Sequence, residues 1–153
     1  MNAGITSTLP LIVLVSMTGC SPESGTSPPS LAIVGLWNQG ANLRDTVKNQ
    51  THIHTGYFSF AQEGVGFAGT GEQSGFCSGP SGHYEGPLAD GARYDIVDGV
   101  QDGSHVSFKS NLCSYEGTLS EDNAHIAGTA SCSYVENGVN FVWAGDWLAN
   151  REP

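Results

Sequence analysis

From residue 31 onward the sequence is divided into short runs by dipeptides that favour positive φ. Glu63-Gly64, Asp90-Gly91, Asp102-Gly103, Ser110-Asn111 and Asn137-Gly138 separate stretches in which apolar and polar residues alternate. Asp-Gly and Asn-Gly are strong hairpin signals, because both central residues of a type I′ turn need φ > 0. No 3.6-residue period competes with the alternation. The spacing predicts strands near 33–43, 52–62, 65–73, 92–101, 104–110, 112–119, 124–134 and 139–151. Eight strands joined mostly by tight turns make an antiparallel up-and-down meander. Such a meander loses its two vulnerable edges by closing into a barrel.

Centring each hairpin on its turn tests the reading, since facing residues must share a side. Around Asn137-Gly138, Cys132 faces Trp143, Ala130 faces Gly145 and Gly128 faces Trp147. Around Ser120 to Asn123, Cys113 faces Ala130 and Tyr115 faces Gly128. Around Ser110-Asn111, Phe108 faces Cys113 and Val106 faces Tyr115; around Glu63-Gly64, Phe60 faces Phe67 and Phe58 faces Gly69. One side thereby collects Phe58, Phe60, Phe67, Phe108, Tyr115, Ile126, Phe141, Trp143 and Trp147. The other collects Ser107, Ser114, Glu116, Thr118, Thr129, Ser131 and Asp146. The first is a core and the second is a wet face.

Composition excludes other classes. The chain has 153 residues, enough for one domain. Five Lys and Arg against fifteen Asp and Glu give a net charge of −10, so no basic stripe for nucleic acid can form. The 21 glycines and the 13% charged fraction argue against a helical bundle. No metal centre and no cofactor motif is expected, and neither Gly-x-Ser-x-Gly nor His-Glu-x-x-His occurs, so the reading is not an enzyme.

Met1 to Gly19 contains no charged side chain, and Leu9 to Val15 has the length of a signal-peptide core, well short of the roughly 20 residues of a membrane span. Met17-Thr18-Gly19-Cys20 resembles the bacterial lipoprotein lipobox, with Met17 where Leu is usual. The resemblance implies cleavage after residue 19 and lipidation of Cys20. It places the protein in the bacterial cell envelope, at the outer membrane or cell surface, held by its lipid. Residues 20–30, rich in Ser and Pro, read as a flexible tether, and residues 31–153 as the barrel domain.

Gly35-Leu36-Trp37 opens the first strand and Arg151 closes the last. This pattern resembles the calycins, the lipocalins, avidins and their relatives, which begin with Gly-x-Trp. In them an Arg of the final strand packs across that Trp at the closed end. The resemblance implies an eight-stranded lipocalin/avidin-like barrel with Trp37 and Arg151 as its barrel-closing pair. The avidin version has Asn two residues after the Trp. Here Asn38 follows directly and points to the other face, so biotin is not expected.

The interior is read as either filled or holding an apolar pocket lined by Phe58, Phe108, Tyr115, Phe141 and Trp143. The Tyr hydroxyl and indole N–H would serve there as polar handles. Cys77, Cys113 and Cys132 gather near the open rim, and an exported chain is expected to pair two of them. Cys113–Cys132 is favoured although the register above makes them diagonal, and Cys77 bridging to either strand stays open. His52 and His54 alternate on one face and are read as ordinary, partly exposed histidines. Asp98 and Asp102 each precede Gly, which is read as turn chemistry rather than a calcium ladder.

The function expected is binding of a small apolar molecule at the open end. The alternative is a protein-interaction or inhibitor module using rim segments 43–52 and 74–91. Palmitate labelling is expected to mark the chain and to miss a Cys20→Ser variant. Equal labelling of the two would refute the lipobox.

Overall fold

The computed structural model describes residues 28–45, 47, 49–78, 86–87, 92–110, 112–136 and 138–153. Cys20, the expected signal segment 1–19 and most of the expected tether 20–30 lie outside the described residues. The strands are β1 (Gly35–Asp45), β2 (Gln50–Glu63), β3 (Gly66–Ser78), β4 (Gly86–Pro87), β5 (Ala92–Asp102), β6 (His105–Ser110), β7 (Cys113–Leu119), β8 (His125–Glu136) and β9 (Val139–Arg151). The order β2-β1-β9-β8-β7-β6-β5-β3 is closed by a further pairing of β2 with β3. The result is an eight-stranded antiparallel up-and-down barrel, with the short β4 laid against the end of β3.

Alternation decides the inside. In β6, Val106, Phe108 and Ser110 are buried between exposed or half-buried neighbours; in β7, Tyr115, Gly117 and Leu119 are. Around the tip at Gly138, Cys132 faces Trp143 and Gly128 faces Trp147, as the sequence predicts. Three other hairpins are displaced by two residues. Phe108 faces Tyr115, Val106 faces Gly117, Cys113 faces Cys132, and Tyr115 faces Ala130. Phe60 faces Gly69 and Phe58 faces Gly71.

The cause is turn placement. Glu63 pairs with Gly66 around Gly64-Val65, Ser110 pairs with Cys113, and Leu119 pairs with Ile126 across a longer loop. A slip of two residues leaves every side chain on its own face, so the core survives the correction. The corrected register also puts Cys113 opposite Cys132, and the two form a disulfide. The Cys77 backbone stands opposite His52, while its side chain lies outside the described part.

Two other expectations change. Residues 43–52 are not a rim loop: β1 and β2 run through most of them, with Asp45 opposite Gln50. Likewise 74–78 belongs to β3, and of the remainder of 74–91 only Gly86–Pro87 is described. Asp98-Gly99 is not a hairpin tip. Asp98 takes a positive φ inside β5, where the pairing with β6 jumps between Val97 and Val100. An Asx-Gly pair supplies the positive φ of a bulge as readily as that of a turn.

Aromatic rings fill the lower barrel. Phe58 and Phe108 are buried and meet edge to face, with centroids 5.3 Å apart. Trp147 and Phe60 pack edge-on against Phe58 or Phe108, and Phe108 stacks on Tyr115 at 4.6 Å. Beneath them Ile33 plugs the end, and the Trp37 indole N–H donates to the Ile33 carbonyl at 2.8 Å.

Arg151 lies across the Trp37 ring at 4.3 Å, the arrangement that the calycin resemblance implies. Its guanidinium donates to the carbonyls of Ala32, Val34 and Asn123. One rigid fork thus ties the entry segment, the β7–β8 loop and the last strand together. Arg151→Ala is expected to cost about 2 kcal/mol, from the lost charged hydrogen bonds and ring contact. Arg151→Lys is expected to recover less than half, because an ammonium cannot serve three separated carbonyls while covering the ring. Urea denaturation of the three proteins checks both values.

Candidate functional site

Above the rings the interior opens into a cavity of about 170 Å³. Tyr115 forms part of its lining, together with the Cys113–Cys132 disulfide and Trp143. Ala41 and Leu43 of β1, His54 of β2, Gln73 of β3 and Tyr94 of β5 complete much of the wall, with Ser110 and Leu112 beside the β6–β7 turn. Small residues make room at this level of the barrel. Ala130 and Gly145 face each other next to Cys132 and Trp143, and Gly71 leaves room for the Tyr94 ring, which a Cβ there would strike.

Trp143 is held from two directions. Its indole N–H donates to the fully buried carboxylate of Asp45 at 2.8 Å, and the same carboxylate accepts from the Val47 N–H. The His52 ring stacks on Trp143 with centroids 4.0 Å apart. The indole N–H is therefore engaged and does not serve as the polar handle the sequence suggested. The Tyr115 hydroxyl is paired with Ser110. Burial raises the Tyr115 phenol above its ordinary range, opposed by the Ser110 bond and then by the neighbouring Tyr94 hydroxyl.

The polar atoms left for a ligand belong to residues that sequence reasoning missed. Both ring nitrogens of His54 are buried with no hydrogen-bond partner among the described residues, and so is the Tyr94 hydroxyl. The Tyr94 hydroxyl lies beside that of Tyr115, near enough for the two phenols to interact, but it meets no partner in full hydrogen-bond geometry. Burial, and then the neighbouring Tyr115, pushes the Tyr94 phenol well above its ordinary value. His54 is 7% exposed, and burial, followed by the charge His52 would carry, lowers its pKa to about 4. It is a neutral imidazole at physiological pH. The expectation of partly exposed histidines is thus corrected: β2 starts early enough to carry His52 and His54 inward on the same face as Phe58. Continuing that parity backward was the signal that could have found them. Among the described residues no group of three His, Cys, Asp or Glu side chains gathers as for a metal ion.

Of the five residues expected to line a pocket, Tyr115 and Trp143 do so. Phe58 and Phe108 lie below, packed among the other rings. Phe141 is buried nearer the start of β9, opposite Tyr134, and is not part of the cavity wall. Comparison of the chain with family models and with curated proteins finds no match.

A histidine whose folded pKa lies below its unfolded value near 6.5 destabilises the fold as pH falls, because the unfolded chain takes up the proton first. His54's contribution is intact above pH 6.5 and is lost progressively down to about pH 4, by on the order of 2 kcal/mol. His54→Gln is expected to flatten this part of the profile. Urea midpoints measured from pH 4 to 7 on both proteins check it, and parallel curves would contradict it.

Proposed function

We propose that the protein is an exported, lipid-anchored binding barrel that takes a small, mainly apolar molecule into its open end. The observation that carries this is the pocket itself. Its walls are largely apolar, yet it contains buried polar atoms of His54 and Tyr94 that nothing else in the described residues satisfies. Native proteins leave few such atoms without a partner, and a bound molecule is a common reason. A single engineered cavity of about 150 Å³ suffices for benzene, so this one has room for a ligand of that order.

Export and anchoring rest on the lipobox at Met17 to Cys20, and the Cys113–Cys132 disulfide fits an oxidising compartment. In this reading the protein captures or carries its ligand at the cell envelope, and no chemical step is assigned to it.

Native mass spectrometry of the untagged protein, purified from its own host, tests the reading. A co-purifying small molecule is the expected result, and repeated recovery of empty protein would refute it. Ala41 lines the cavity and is nearly buried. Ala41→Leu fills the space with three further carbons and is expected to emerge empty, with thermal stability unchanged or raised.

A further inference from the structure

The chemistry of the wall narrows the ligand further. This inference rests on the proposed binding reading and adds the class of molecule.

Charge is the first filter. The one basic side chain on the wall, Arg93, is largely exposed and is bound to Glu72 at 2.9 Å. His54 is neutral, and the nearest buried acid, Asp45, already accepts from Trp143 and Val47. An anion or a cation entering this space would lose its hydration and meet no free counter-charge, a cost that excludes both. The ligand is neutral.

Hydrogen bonding is the second filter. A neutral imidazole offers one donor and one acceptor, and a phenol hydroxyl offers both. The unsatisfied atoms of His54 and Tyr94 therefore ask for a group that donates and accepts at one point, which describes a hydroxyl. A purely apolar molecule would leave those atoms unpaired and would bind more weakly for it.

Shape is the third filter. The apolar wall includes the disulfide sulfurs, Tyr115 and Trp143, polarisable surfaces that favour the edge or face of an aromatic ring. The volume suits one ring rather than a fatty chain.

We infer that the open-end cavity is a site for a small neutral phenol, its ring against the disulfide and Trp143 and its hydroxyl between His54 and Tyr94. Calorimetric titration of the full chain with p-cresol, toluene, benzoate and cyclohexanol tests this. The expected result is that p-cresol binds at least tenfold more tightly than toluene or cyclohexanol, and that benzoate does not bind.

Tyr94→Phe removes an unpartnered hydroxyl and keeps the ring, so it leaves folding intact. It is expected to reduce the preference for p-cresol over toluene at least fivefold. His54→Phe is expected to do the same. Toluene binding as tightly as p-cresol would overturn the phenol assignment while leaving an apolar-ligand site standing. An unchanged preference in Tyr94→Phe, with folding confirmed by circular dichroism, would also overturn it. Failure of all four probes to bind would overturn the phenol site, and recovery of empty protein from the host would then remove the binding reading too.

Discussion

A methyl group on Gly69 would overlap the Ser59 carbonyl oxygen, one on Gly128 that of Glu116, and one on Gly145 that of Asn42. At each of these points two neighbouring strands approach more closely than a Cβ allows, on the inward side of the sheet. Eight strands can close into a barrel this narrow only where the backbone coils sharply, and glycine is what permits it. The rest of the interior follows. Bare backbone opposite Phe60 and Trp147 leaves volume for their rings, and the rings meet in the middle. Part of the glycine excess that the composition shows is therefore a property of the curvature, while Gly64, Gly103 and Gly138 take the positive φ of turns.

The same principle, applied unevenly, separates the filled half from the open half. Towards the closed end, the inward positions alternate ring and glycine until no room is left. Towards the open end they include Ala41, His54, Gln73, Ser110 and the half-cystines, set among Tyr94, Tyr115 and Trp143. The cavity is the space that these smaller side chains leave between the rings. Its upper edge is stiffened by a small polar assembly, with Asp45 gripping the indole of Trp143 and His52 lying on that ring. A buried carboxylate held this way fixes the orientation of the Trp143 ring at the mouth.

Much of this was legible in the residues, and the parts that were not have identifiable causes. Strand number and inward face follow from turn signals and alternation, because period-two patterning is insensitive to small errors of register, whereas the Trp37–Arg151 contact was expected only from the resemblance to the calycins. The register itself was misread by two residues in three hairpins. Glu63-Gly64 and Ser110-Asn111 look like turn centres, but the chain reverses one residue later in each. Asp98-Gly99 was ambiguous because a bulge and a hairpin ask for the same backbone sign. The candidate site was the least legible. Its key atoms belong to His54 and Tyr94, polar residues that pattern reading assigns to solvent, and they are buried only because β2 and β5 carry the inward parity up to the mouth.

The guanidinium of Arg151 reaches a carbonyl 117 residues earlier in the chain, and that span governs how the molecule comes together. Apart from β3 and β5, which β4 separates in the chain, every other barrel seam joins consecutive strands, so those hairpins can form as soon as their turns exist. The seam between β1 and β9 has no such help. Until it closes, β1 carries one unpaired edge of main-chain donors and acceptors, exposed for as long as it takes the remaining strands to be made and arranged. The ends must then find each other against the loop entropy of nearly the whole domain, the costliest contact in the barrel to form. A chain delivered from its amino end, whether by a ribosome or through a membrane pore, therefore keeps an open, sticky edge until its last strand arrives.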